Sequence, residues 1–186
     1  MAKLIYSAHT SIDGYVADEK GNFDWVEPDD DMQECINERE RTIGTYLFGR
    51  RLYETMSVWE TADALGPQTP AILEYEPIWR AAEKIVYSTR LRTVSTARTR
   101  IERSFQPDLV RELKAGSKRD LEIGGPTLAS FAIRAGLVDE YHLLIAPIIL
   151  GSGNPYLPDR VKVKLELLDE RRFGNGTVYV RYRPKG

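Results

Sequence analysis

The sequence predicts an α/β protein of three layers, with helices on both faces of a mostly parallel central sheet that finishes in antiparallel C-terminal strands. Three observations carry that expectation. Strand-like apolar runs alternate with helical patterns as far as residue 135, the order that builds a parallel sheet with crossover helices. Glycines stand where strands give way to helices, at Gly49 and at Gly124 and Gly125. Beyond residue 139 three strand-like runs follow one another without a helix, and Gly174-Asn175-Gly176 joins the last two, an Asn-Gly pair that signals a tight hairpin.

Residues 3–8 form an apolar first strand. The segment 9–28 is too long for a simple connection and bears Gly14 and Gly21, which mark it as a functional loop able to act as a lid. Residues 29–42 begin with Asp29, Asp30 and Asp31, end with Arg39 and Arg41, and space Met32, Ile36 and Ile43 at near-helical intervals. A helix aligned with its own dipole is expected there, started by the aspartates. A second strand, 45–48, closes at Gly49. Helices are expected over 50–58 and 70–82, the latter with Pro70 at a first helical position, and short proline-bearing connections around 66–70 and 155–158. Strands at 84–87, 100–105 and 120–123 are interleaved with helices at 107–115 and 126–135, and the final strands are 140–149, 163–172 and 177–183. The apolar run 143–150 suits a buried strand or part of a dimer interface. With 186 residues, no repeat and no dividing linker, one domain spanning 1–186 is expected.

A hydrophobic fraction of 42% beside 29% charged residues supplies a core and argues against disorder. The 26 basic and 28 acidic side chains are mixed along the chain and leave a formal charge of −2. No field therefore favours nucleic acid or an anionic membrane, and neither is expected as a partner. Cys35 stands alone, and His9 and His142 are widely separated, which supports neither a disulfide framework nor a metal site. The N-terminus runs directly into a strand and no segment is long enough to span a bilayer, so a cytoplasmic location is expected.

Chemistry is expected at strand ends, since open α/β sheets bind ligands outside the carboxyl ends of their strands. At residues 121–128, Leu-Glu-Ile-Gly-Gly-Pro-Thr-Leu, a strand runs through two glycines into a helix. Backbone there can approach a pyrophosphate closely; Pro126 has no amide, leaving Gly125, Thr127 and Leu128 as donors. An ordinary tight turn reads the same way, and two adjacent glycines fall short of the GxGxxG pattern. At a second junction Gly49, Arg50 and Arg51 could hold phosphate oxygens. At a third, Ser88, Thr89 and Arg90 suit a ribose 2′-phosphate. In the long loop, Asp13 either orients a heterocycle and assists proton delivery or stabilises a turn, and the aromatic residues nearby could cover a flat ring.

Ser11-Ile12-Asp13-Gly14, Asp24-Trp25, Leu47-Phe48-Gly49-Arg50, the run 84–89, Ile123-Gly124-Gly125 and the motif LVDEYHLLIAPIILGSG at 137–153 come in an order that resembles the dihydrofolate reductase superfamily. Within it, the closer likeness is to the reductase domain of riboflavin biosynthesis, here in stand-alone form. The resemblance covers essentially the whole chain. It implies an NADPH-dependent oxidoreductase acting on a small heterocyclic or phosphoribosyl substrate, similar to 5-amino-6-(5-phosphoribosylamino)uracil reductase and dihydrofolate reductase. By position it implies that Gly49, Arg50 and Arg51 meet the cofactor phosphates, Ser88 and Thr89 the 2′-phosphate, and Gly124, Gly125, Pro126, Thr127 and Leu128 the pyrophosphate, with Ala8 near the nicotinamide. Asp13 is implied as the catalytic or substrate-orienting residue, with Ser11, Trp25 and Tyr53 at the substrate. A homodimer is implied as well. Dihydrofolate reductases carry a single acid at the start of the first helix, whereas three aspartates follow Pro28 here. A different class of function fits the same fold: a protein that binds the nucleotide and turns nothing over. A plain assembly module would bind no nucleotide at all.

Overall fold

The computed structural model describes residues 1–26, 28–65 and 68–186. Glu27, in the expected lid segment, and Gly66 and Pro67, in the expected connection at 66–70, lie outside the described residues. In chain order the elements are β1 (Leu4–Thr10), β2 (Tyr15–Ala17), α1 (Asp30–Glu40), β3 (Ile43–Gly49), α2 (Arg50–Met56), a 3₁₀ segment (Ser57–Leu65), α3 (Pro70–Leu73), α4 (Tyr75–Ala81), β4 (Glu83–Tyr87), β5 (Thr99–Glu102), α5 (Pro107–Gly116), β6 (Asp120–Gly124), α6 (Pro126–Arg134), β7 (Glu140–Ile145), β8 (Asn154–Pro155), β9 (Leu165–Arg172) and β10 (Val178–Pro184).

Eight strands make the central sheet in the order β5-β4-β3-β6-β1-β7-β10-β9. The first six pair in parallel, while β10 runs antiparallel to β7 and β9 antiparallel to β10, as the helix-free C-terminal end of the sequence predicts. Alternation along each strand divides the side chains between two faces. Leu4, Tyr6, Leu47, Leu121 and Ile123 pack with residues of α5 and α6 on one face. Ile5, Tyr46, Phe48 and Val86 pack beneath α2 and α4 on the other, and α1 lies over the same face toward β7 and β10 through Met32 and Cys35. The run 143–150 is read as a buried strand in its first half: Leu144 is buried in β7, between β1 and β10.

Local chemistry explains where elements start and stop. Asp29 caps α1, its carboxylate accepting from the Met32 amide at 2.9 Å, and its other oxygen accepts from the Asn175 amide at 3.1 Å, which ties the C-terminal hairpin to the helix. The single helix expected over 70–82 is two, α3 and α4, because Pro77 has no amide to donate to the Leu73 carbonyl. The hairpin is not a two-residue turn: Gly176 donates to the Phe173 carbonyl at 3.1 Å, Phe173 to the Thr177 carbonyl at 2.9 Å, and Gly176 has φ of 87°. That is a three-residue loop with a glycine in the left-handed region, the geometry that closes a type I turn onto twisted strands.

Two features carry unusual weight in the core. Tyr46, Phe48 and Trp79 stack with centroids 5.2 to 5.7 Å apart, and the Lys84 ammonium, wholly buried, lies 4.8 Å over the Trp79 ring while donating to the Trp79 carbonyl at 3.0 Å. On the opposite face Tyr6 and Tyr156 stack at 4.4 Å, each hydroxyl donating to the other's carbonyl at 2.8 and 3.2 Å. This reciprocal pair fastens the segment after β8 to β1.

Candidate active site

The carboxyl ends of β1, β3, β4 and β6 open into one cavity of about 1280 Å³. Its rim is made by Ala8 from β1, by Gly49, Arg50 and Arg51 from the turn into α2, by Ser88, Thr89 and Arg90 after β4, and by residues 124–128 from the turn into α6. Three junctions separated by up to about 80 positions in sequence are thereby brought together, because β4, β3, β6 and β1 are neighbours in the sheet.

The rim is largely bare backbone. Gly125 caps α6 with φ of 89° and ψ of 122°, a conformation open to glycine, and a Cβ on Gly124 would lie 2.4 Å from Leu52 Cδ2 and 3.0 Å from the Phe48 ring. Gly124 thus lets Leu52 and Phe48 pack against the turn, while Gly125 leaves the α6 N-terminus approachable. Not all polar groups there are idle: Ser88 Oγ accepts from the Leu91 amide at 2.9 Å, and Arg50 is held by both oxygens of Glu54 at 2.8 Å. Arg103, which the sequence analysis did not single out, lines the same wall and donates to the Ser88 and Leu91 carbonyls at 2.9 and 2.6 Å. Its signal was a cation just past a short strand, indistinguishable there from a solvated charge.

The residues expected at the substrate are placed differently. Asp13 does not line the cavity: its carboxylate accepts from the Leu150 and Gly151 amides at 3.1 and 2.7 Å. Hydrogen bonding, first from Ser11 and then from those two amides, holds its carboxyl below the ordinary aspartate range. Ser11 is buried and its hydroxyl also accepts from the Tyr15 amide at 3.0 Å. Together with the β2–β8 pairing, these bonds clamp the 11–17 turn onto the 147–155 loop. Tyr53 is buried on the sheet side of α2, its hydroxyl accepting from the Ser95 amide at 2.9 Å, because helical periodicity turns it away from the opening. Trp25 is likewise off the wall, and its neighbours Phe23 and Asp24 line the cavity instead.

At the floor lies a group of polar side chains that no sequence motif announces. Glu122 on β6 and Glu40 at the end of α1 are hydrogen-bonded to each other, and the Tyr46 hydroxyl donates to Glu40 at 2.7 Å. Burial raises both carboxyls above the ordinary range, Glu122 well above it. Arg39 lies beside them with its guanidinium 4.4 Å over the Tyr179 ring, and its Nε and Nη1 are buried without a hydrogen-bond partner among the described residues. Burial, and then Arg39, lower the His9 imidazole to about 4.

These groups fix a pH dependence of stability. His9 stays neutral in the fold while an unfolded histidine takes a proton below about 6.5, so stability falls as pH drops from there toward 4. Glu140, pulled down to about 2 by hydrogen bonds first from His142 and then Lys3, adds a loss between about 4.5 and 2. The raised Glu40 and Glu122 act oppositely: the unfolded chain ionises them above about 4.5 while the fold keeps a proton, so stability falls as pH rises through their window. Thermal melts across pH are expected to peak on the acid side of neutrality, and Glu122→Gln is expected to flatten only the alkaline limb.

Comparison with known proteins places this fold and cavity in a family. The sequence pattern of the RibD C-terminal domain matches residues 2–179. The chain belongs to that family. It is 26% identical to the uncharacterized protein YyaP of Bacillus subtilis (strain 168) over 188 residues, covering 99% of this chain and 96% of YyaP. Its fold matches the diaminohydroxyphosphoribosylaminopyrimidine deaminase/5-amino-6-(5-phosphoribosylamino)uracil reductase of Thermotoga maritima with a TM-score of 0.67 at 17% identity, over 99% of this chain and 57% of that one. It also matches dihydrofolate reductase from Enterococcus faecalis complexed with NADP(H), with a TM-score of 0.65 at 14% identity, over 99% and 97% of the two chains. The RibD C-terminal domain and dihydrofolate reductase thus share the sheet expected from the sequence.

Proposed function

We propose that this protein is an NADPH-dependent reductase of a small heterocyclic or phosphoribosyl substrate. The observation that carries the reading is the convergence of every residue expected at the cofactor on one glycine-rimmed cavity, while the family supplies the reductase chemistry. The residues present fit the nucleotide: the missing side chain at Gly125 leaves room at the positive end of α6, and Arg51, Arg90 and Arg103 add charge to the wall that holds Ser88 and Thr89. When bound, NADPH supplies the hydride. The chain would grip the pyrophosphate between residues 124–128 on one side and Gly49, Arg50 and Arg51 on the other, and the 2′-phosphate at Ser88 and Thr89. Ala8 leaves space beside the nicotinamide, and Phe23 and Asp24 close the substrate side. A homodimer belongs to the same family reading, and cytoplasmic residence to the reading of the sequence; sedimentation and fractionation check them.

Titration of the purified protein with NADPH and NADH, followed by ligand fluorescence, tests this. Binding selective for NADPH is expected, with at least a tenfold (about 1.4 kcal/mol) loss in Gly125→Ala, where a side chain would be forced to positive φ. If neither nucleotide binds, the reductase reading fails. Asp13 acts through the clamp: Asp13→Ala is expected to speed amide exchange at Leu150 and Gly151 and to lower turnover, with NADPH affinity unchanged.

A further inference from the structure

We propose that Glu40 and Glu122 hold one shared proton at the floor of the cavity, and that Glu122 hands it to the substrate heteroatom as the C=N or C=O bond is reduced. This rests on the reductase reading and names the proton source within it. The geometry is specific. Glu122 pairs in register with Ile5 on β1 and Tyr46 on β3, so its side chain stands on the sheet face covered by α1 and α4, and it lines the cavity together with Glu40. Two carboxyls in hydrogen-bonding contact require a proton between them, since two carboxylates offer acceptors only. Tyr46 occupies Glu40 Oε2 from behind, which leaves Glu122 as the member able to release its proton toward the cavity. The groups facing the pair are Arg39 from α1, Tyr46 from β3 and Tyr75 from α4, with Tyr156 influencing it from across the sheet. Only Arg39 among them is cationic, and its guanidinium is not hydrogen-bonded to either carboxyl, so the proton stays on the pair.

The step balances. Reduction of C=N or C=O consumes one hydride, brought by NADPH to carbon, and one proton at nitrogen or oxygen. The O–H bond of Glu122 breaks and the heteroatom–H bond forms. The pair is left as two carboxylates stabilised by Tyr46 and Arg39, and solvent returns the proton after product leaves. Glu122 is therefore placed as the catalytic donor and Glu40 as the positioning residue that keeps it protonated.

Infrared spectroscopy of the ligand-free protein tests the shared proton without any turnover. A neutral carboxylic acid carbonyl band should persist at neutral pH in the wild type, be lost in Glu122→Gln, where Glu40 keeps the Tyr46 donor and Arg39 beside it, and move to higher frequency in Glu40→Gln, where burial keeps Glu122 protonated but its acceptor is gone. No band in the wild type, or a band that keeps its wild-type frequency in Glu40→Gln, overturns the shared proton. Delivery is tested by NADPH oxidation with 5-amino-6-(5-phosphoribosylamino)uracil as probe. Glu122→Gln is expected to lower turnover at least about 100-fold and to abolish the alkaline fall of the rate profile, with NADPH affinity unchanged and Glu122→Asp partly restoring both. Undiminished turnover in Glu122→Gln overturns delivery while leaving the reductase reading intact. A wild type that binds no NADPH, or binds it and does not oxidise it with this probe, removes the delivery step together with the reading behind it, and the infrared arm still decides whether the pair shares a proton.

Discussion

Trp79→Ala is expected to destabilise the protein by about 3–5 kcal/mol, a loss visible in a chain of this size as a melting temperature lower by roughly 10 °C. Trp79 is fully buried and is the common partner of Tyr46 and Phe48, so its removal opens a void between α4 and the sheet that neither aromatic ring can fill alone. The same change strips the Lys84 ammonium of the ring beneath it in a site closed to water. A buried charge that loses one of few favourable contacts adds to the cavity cost. Because Tyr46 also donates to Glu40, loosening of the stack is expected to reach the cavity floor. A variant that melts within a degree or two of wild type would show that α4 is not the load on this face.

Gly153→Ala should have the second large effect, and on a different part of the molecule. The residue has φ of 148°, and a Cβ there would stand 2.1 Å from the Ala17 carbonyl oxygen and 3.1 Å from its carbon. The obstacle is backbone, so no side-chain rotation relieves it. Separation of β8 from β2 is expected, with loss of the Tyr15 and Ala17 pairings and release of the turn that Asp13 clamps. The measurement is amide exchange: residues 14–18 and 150–156 should lose protection while β1, β3 and β6 keep theirs. Equal protection in the variant would mean that the two loops are held together by the tyrosine pair alone.

How much of this could be read in the sequence depends on whether a signal is local. The parallel order, the antiparallel ending and the acid-capped α1 were legible because alternation, helix spacing and caps are written within a few residues. The convergence of the three strand ends on one cavity was legible for the same reason, two of the junctions being a strand, a glycine and a helix start. β2 and β8 were not, since three residues and two residues carry no periodicity and exist as strands only by pairing across about 140 positions. Glu122 was hidden by the ordinary meaning of its pattern: a charge between Leu121 and Ile123 reads as the solvent side of a strand, but here helices cover both faces. Arg39 read as a dipole-matching cation at a helix end, and nothing nearby in sequence reports that Tyr179 lies beneath it. For Tyr53 and Trp25 family position suggested the substrate, whereas neither lines the cavity and the Tyr53 hydroxyl is taken up by the Ser95 amide.

Lys84 offers a practical consequence of its burial. Its ammonium has no solvent exposure and is committed to the Trp79 carbonyl, so an amine-acylating reagent in solution cannot meet it in the native fold. Lys114, committed to the Leu137 carbonyl at 3.0 Å on the opposite face, is almost as enclosed. Acylation at these two positions would therefore count opening events on either side of the sheet, with the exposed Lys20 as internal reference for reagent strength. If both lysines react at one common rate, the two halves of the core open as a unit; if Lys84 lags or leads, they come apart in sequence.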